Sequence, residues 1–227
     1  KVKEINLKVG QKYNLEYEII PSNSKYKDVE FKSNDEFVAK IFVSTDRNIS
    51  SNNKLLQSFK NDIEISSLLL HPSIAKFVGY SPTNFKRNQP MIILSGCSKC
   101  LFYDFLRMQI YEPNPQWNST KKLLSIYSIA SAMKYLHSLD IIHRNLTPNS
   151  ILLDKNLNPK ISDFFLAIRS PYDNNHNSEV IGTPAYIAPE IWVSSSYSKS
   201  SDVYAFAFLV YEILSNVSPF QGMDSYQ

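Results

Sequence analysis

The sequence predicts an α+β fold in two parts, strand-rich over residues 1–97 and helix-rich over 98–227. Three observations carry that expectation. Apolar residues alternate with a period of two through much of the first part, the pattern of half-buried strands. One segment of that part, 53–70, has apolar residues at helical spacing instead. Beyond about residue 98 the helical period takes over, with SGCS (95–98) as the connector.

The elements follow in order. YNLEYEII (13–20) places Tyr13, Leu15, Tyr17 and Ile19 on one face of a strand, and KDVEF (27–31) and EFVAKIFV (36–43) continue across a KSND turn. The helix over 53–70 carries Leu55, Leu56, Phe59 and Ile63 and ends at His71-Pro72, since proline disfavours helical backbone in the residue before it. AKFVGY (75–80) and PMIIL (90–94) complete a mostly antiparallel five-stranded sheet, with the helix inserted after its third strand. LFYDFLRMQ (101–109) and TKKLLSIYSIASAMKYLHSL (120–139) read as helices, the second with Leu123, Ile126, Tyr127, Ala130, Met133 and Leu136 on one stripe. A polar loop flanked by short strands spans 141–165, and a proline-bearing segment (170–189) leads to a helix over 202–214. A cleft between two such parts is a natural ligand site.

The bulk numbers narrow the function. The 227 residues are 43% apolar and 20% charged, an ordinary globular balance. Net charge is +3, and the 24 basic residues are scattered apart from Lys86–Arg87 and Lys121–Lys122, a solvated surface rather than a nucleic-acid stripe. VYAFAFLVY (203–211), fenced by Asp202 and Glu212, is far short of the ~20 residues that cross a bilayer and reads as a buried core helix. There is no visible signal peptide and residue 1 is lysine, so the expectation is a cytoplasmic piece of a longer chain. Cys97 and Cys100 form CSKC without a second cysteine pair or clustered histidines, which favours reduced thiols over a zinc or redox site.

Six motifs stand in one order: VAK (38–40), FKNDIEISSLLLHPSI (59–74), HRNLTPNSILL (143–153), DFF (163–165), GTPAYIAPE (182–190) and DVYAFA (202–207). Together they resemble a protein kinase domain, nearest the tyrosine-kinase-like serine/threonine type, from about residue 13 to the end. The resemblance implies a two-lobed fold, an N-lobe with hinge over 1–97 and a mainly helical C-lobe over 98–227 that lacks its last helices, with ATP and Mg as ligands. Lys40 would reach the α- and β-phosphates and pair with Asp62 on the helix, while Glu64, about 200° further round, faces elsewhere. Asp62 is one methylene shorter than the family's glutamate, so the pair requires a closer helix. Val29, Val38, Leu94, Ser95, Cys97 and Leu152 would line the nucleotide pocket, and Asp163 and Ser150 would hold metal. His143 and Phe164 fall on packing positions, and Arg144 on the arginine that grips a phosphorylated activation segment, here bearing Ser170, Tyr172, Ser178 and Thr183. Glu190 and Asp202 fall on structural positions.

Several positions depart from the family pattern. Asn145 stands where an aspartate accepts the substrate proton. An amide oxygen orients a hydroxyl but is too weak a base to deprotonate it, and general-base assistance is worth about 10²–10⁴ in rate. Thr147 replaces a lysine that holds the transferring phosphate, removing positive charge where negative charge builds. Ser150 offers a shorter ligand than asparagine. No glycine lies between Gly10 and Gly79, so the phosphate-covering turn within 19–31 carries Pro21, Lys25 and Lys27 instead. Phe165 replaces the glycine of the metal loop, Val38 adds bulk where alanine is preferred, and Ser66 puts a hydroxyl in an apolar column.

Together these losses predict a pseudokinase, a conformational or scaffolding module for a protein partner with impaired phosphoryl transfer. The alternative, resting on Lys40 and Asp163, is an active ATP-dependent protein serine/threonine kinase of degenerate type that modifies protein hydroxyls. A third reading is a fragment with no activity of its own.

Overall fold

The computed structural model describes residues 3–6, 12–15, 18–20, 29–33, 37–42, 49–81, 90–97, 100–169 and 180–219. Residues 21–28 of the phosphate-covering turn, the loop 173–178 and the candidate phosphosites Ser170, Tyr172 and Ser178 lie outside these residues. The chain divides into two compact units. One comprises Lys1–Cys100 with Leu152–Phe165, the other Leu101–Ile151 with Leu166–Gln227.

The first unit contains β1 (Lys3–Asn6), β2 (Lys12–Leu15), β3 (Glu18–Ile20), β4 (Val29–Ser33), β5 (Phe37–Phe42), α1 (Ile49–Leu68), β6 (Lys76–Ser81) and β7 (Met91–Ser95). Five strands form one sheet in the order β3-β4-β5-β7-β6, with every pair antiparallel. The single strand expected over 13–20 is two: β2 pairs with β1, and β3 joins the five-stranded sheet. A period-two pattern does not reveal where a strand changes partners.

Alternation sorts the side chains of β5. Ala39 and Ile41 pack with Ile93 on one face. Phe42, on the other face, meets Phe59 of α1 edge-on at 5.2 Å, and Phe59 meets Tyr80 at 6.2 Å. Such aromatic pairs add about 0.5–1.5 kcal/mol each beyond their buried area. On α1 the buried positions Phe59, Asp62, Ile65 and Ser66 recur at helical spacing, while Glu64 is exposed. Strand β9 (Ile151–Leu153) pairs with β10 (Pro159–Ile161). The Ala75 N–H donates to the Ile161 carbonyl at 2.8 Å, and the Ile161 N–H to the Ser73 carbonyl at 2.8 Å, which ties β10 to the segment after α1.

The second unit contains α2 (Phe102–Tyr111), α3 (Ser119–Ser138), β8 (Ile141–Ile142), β11 (Ile168–Arg169), α4 (Pro189–Ser194) and α5 (Lys199–Ser215). Asn118 caps α3 by accepting the Lys121 N–H at 3.0 Å. The buried face of α3 is Ser125, Ile129, Ala132, Met133 and Leu136, whereas Leu123 and Tyr127 of the expected stripe are exposed. Apolar residues surround this helix, so periodicity alone does not choose the buried stripe. Helix α5 likewise buries one face only: Ala205, Leu209 and Ile213 are buried, while Val203, Tyr211 and Leu214 are exposed. No helix among the described residues is long and apolar enough to cross a membrane.

The two acids that fence the apolar run of α5 are buried. Glu212 is 0% exposed; it pairs with Arg107 of α2 and accepts a hydrogen bond from the Tyr186 hydroxyl. Arg107 also donates to the Asn216 carbonyl at 2.7 Å. Burial pushes the Glu212 carboxyl above its ordinary range, against the Tyr186 hydrogen bond and the Arg107 charge.

Candidate functional site

Lys40 lies on β5 on the same face as Phe42 and is 1% exposed. A buried ammonium is costly unless paired. Here it meets Asp62 Oδ2 at 2.5 Å and makes a second ion pair with Asp163 Oδ1. The rings of Phe42 and Phe165 lie 5.0 and 4.8 Å from the same ammonium. Burial lowers the Lys40 pKa, but the charges and hydrogen bonds of Asp163 and Asp62 outweigh it and leave it above the ordinary 10.5.

Asp62 has further partners. Its Oδ1 accepts from Ser66 Oγ at 2.9 Å and from the Phe164 N–H at 3.2 Å. The hydroxyl at 66 therefore meets a carboxylate one helical turn away. Asp163 takes a left-handed backbone, φ 74°, which aspartate tolerates better than most residues. A 3₁₀ turn over Phe164–Leu166 follows, and Phe165 sits within it, so no positive φ is required where the family has glycine. Asn61 Nδ2 donates to the carbonyls of Phe164 at 3.3 Å and Phe165 at 3.0 Å. Cys97 is buried with its thiol toward the Ser95 carbonyl at 3.7 Å. Burial, opposed by Lys160 and aided by Asp154, pushes the thiol up to about 12. Among the described residues no group of three His, Cys, Asp or Glu forms a ready metal site.

In the second unit, Asp202 of α5 holds the loop that starts at His143. Its carboxylate accepts the main-chain N–H of His143 at 2.9 Å and of Arg144 at 3.0 Å, and contacts His137 Nε2 at 2.9 Å. Those bonds support Arg144 at φ 66°. Asn145 is buried; its Oδ1 accepts from Thr183 Oγ1 at 3.0 Å. Gly182, at φ 117°, permits that approach, since a Cβ there would lie 3.0 Å from the Arg144 carbonyl. Thr147 caps the turn Pro148–Ser150, accepting the Asn149 N–H at 3.2 Å. Ser150 Oγ accepts the Thr147 N–H at 3.0 Å and donates to the Thr147 carbonyl at 2.9 Å. The Arg144 guanidinium stacks on Tyr197 at 4.3 Å, and Tyr197 exchanges two hydrogen bonds with the Ile181 main chain.

A family model described as protein tyrosine and serine/threonine kinase matches residues 24–227. The chain belongs to the protein kinase family. A probable serine/threonine-protein kinase of Dictyostelium discoideum is 30% identical over 195 residues, 85% of this chain and 14% of the relative. A leaf rust 10 disease-resistance locus receptor-like protein kinase-like protein of Arabidopsis thaliana is 34% identical over 190 residues, 77% of this chain and 27% of the relative. The serine/threonine-protein kinase polo of Drosophila melanogaster is 32% identical over 197 residues, 86% of this chain and 32% of the relative. This kinase domain thus spans less than a third of the length of each of these relatives.

Within the kinase domain, the first unit holds Val29, Val38, Lys40, Asp62, Leu94, Ser95, Cys97, Leu152 and Asp163, and the second holds Asn145, Thr147 and Ser150. Val38 stands opposite Leu94 in register, and Val29 opposite Phe42. Val38, Leu94, Cys97 and Leu152 are buried and Ser95 half-buried. Sequence reasoning missed Asn61 and the Arg107–Glu212–Tyr186 group. An asparagine beside an aspartate on a helix carries no pattern, and a glutamate ending an apolar run reads as a solvent boundary.

Proposed function

We propose that this kinase domain is a pseudokinase of tyrosine-kinase-like type, a conformational or scaffolding module for a protein partner with impaired phosphoryl transfer. One observation carries the reading: Asn145, at the family's proton-acceptor position, offers an amide oxygen that already accepts the Thr183 hydroxyl at 3.0 Å. The residue supplies no carboxylate to take a proton. Thr147 adds no positive charge beside it, and its hydroxyl caps the neighbouring turn.

The family generally binds ATP and Mg. Lys40 and Asp163 have the right chemistry for phosphate oxygens and a hard divalent cation. Mg·ATP, when bound, supplies the phosphates Lys40 would neutralise and the cation Asp163 would ligate. Ser150 is the weaker metal ligand, since its hydroxyl serves the Thr147 main chain as both donor and acceptor. One observation favours the second reading, an active serine/threonine kinase of degenerate type: the Lys40–Asp62 pair is made at 2.5 Å.

The test restores the lost groups. The double variant Asn145→Asp, Thr147→Lys is expected to transfer phosphate to protein hydroxyls roughly 10²–10⁴ faster than the natural sequence. A natural sequence that transfers phosphate at about 1 s⁻¹ or faster, with no gain in the double variant, overturns the reading.

A further inference from the structure

The turn after Asp163 closes over Lys40 in a way the chemistry of ligand binding does not require. Three contacts hold it. Asn61 Nδ2 bridges two successive carbonyls, Phe164 at 3.3 Å and Phe165 at 3.0 Å. The Phe164 N–H donates to Asp62 at 3.2 Å. The Phe165 ring lies 4.8 Å from the Lys40 ammonium, which is itself 1% exposed. Asn61 and Asp62 are adjacent on α1, so one turn of helix grips both the donor and the acceptor side of the same short loop.

We propose that Asn61 is a positioning residue whose amide holds the turn after Asp163 closed with the Phe165 ring over Lys40, and so limits the access of anionic ligands to that ammonium. The inference rests on the reading of Lys40 as a phosphate-facing group only where the ligand is a nucleotide; access itself is a property of the turn. A carboxamide suits this task because it donates without bringing charge. An aspartate in its place would lose the donor and repel the carbonyls. The ring supplies the lid and the amide supplies the catch. Loosening either exposes the same lysine.

The experiment reads Lys40 without nucleotide. The 227-residue protein is treated with a small amine-acylating reagent, and Lys40 modification is followed by peptide mass spectrometry in the natural sequence and in Asn61→Ala, Asn61→Gln and Phe165→Ala. Circular dichroism confirms that each variant is folded, and Mg·ATP binding is measured in parallel by calorimetry. Loss of two hydrogen bonds is expected to raise Lys40 labelling roughly fivefold to tenfold in Asn61→Ala. Phe165→Ala is expected to do the same, with Asn61→Gln near the natural rate. Labelling that rises while no variant binds Mg·ATP supports the role of Asn61 and counts against the nucleotide reading. Lys40 labelling unchanged in both alanine variants overturns the proposal, whatever the calorimetry shows.

Discussion

The Asp62 carboxylate reaches the Lys40 ammonium at 2.5 Å although its side chain is a methylene shorter than glutamate. On the same face of β5, Phe42 meets Phe59 of α1 edge-on, 5.2 Å between centroids. Asp62→Ala would leave Lys40 with one carboxylate and take an acceptor from Ser66 and Phe164. Breaking a buried pair costs roughly 3–5 kcal/mol, and Asp163 keeps this case near the low end. Urea denaturation measures it; a loss below about 0.5 kcal/mol, small for any buried pair, contradicts the pairing.

Alkaline pH tests the same pair. The unfolded chain releases the Lys40 proton near 10.5, whereas the folded protein holds it to higher pH. The stabilisation is therefore complete below that value and lost as pH rises through the folded pKa. The stability advantage of the natural sequence over Lys40→Met is expected to shrink as pH passes 10.5. A difference that stays flat there counts against it.

Arg107→Ala is expected to destabilise the protein by roughly 3–5 kcal/mol, because it leaves Glu212 buried without its cation. Glu212→Gln, which keeps an acceptor for Tyr186, is expected to cost less. Thermal denaturation of both variants ranks them, and the reverse order contradicts the network.

Cys97, pushed up to about 12 from 9.0 by burial, is expected to carry a thiolate fraction about a thousandfold below that of an ordinary thiol near neutral pH. Iodoacetamide mapping is expected to modify Cys100 well before Cys97. Fast alkylation of Cys97 in folded protein would restore a reactive role for the CSKC stretch.

Some features are legible in the sequence and others are hidden, for physical reasons. Periodicity locates α1, which has one buried face, whereas β5, buried on both, shows only as a short apolar run. Along α3, where apolar residues lie all round, periodicity places Met133 and Leu136 on the buried face but also Leu123 and Tyr127, which are exposed, and it merges β2 with β3. Lys40, Asp62 and Asp163 stand out as a set because each sits in a motif. The side-chain bond from Thr183 to Asn145 does not, since the two are 38 residues apart and only the folded loop brings them together. The Phe165 substitution suggests a constrained loop, but its grip by Asn61 depends on helix phase relative to a turn 104 residues away.

Impaired phosphoryl transfer is measured most directly as movement of radiolabel from the γ position of Mg·ATP to protein hydroxyls, on this chain and on a generic protein substrate. The expected rate is at least about 10² below the roughly 1–100 s⁻¹ typical of kinases. Transfer at about 1 s⁻¹ or faster, abolished by Asp163→Ala, would contradict the pseudokinase reading.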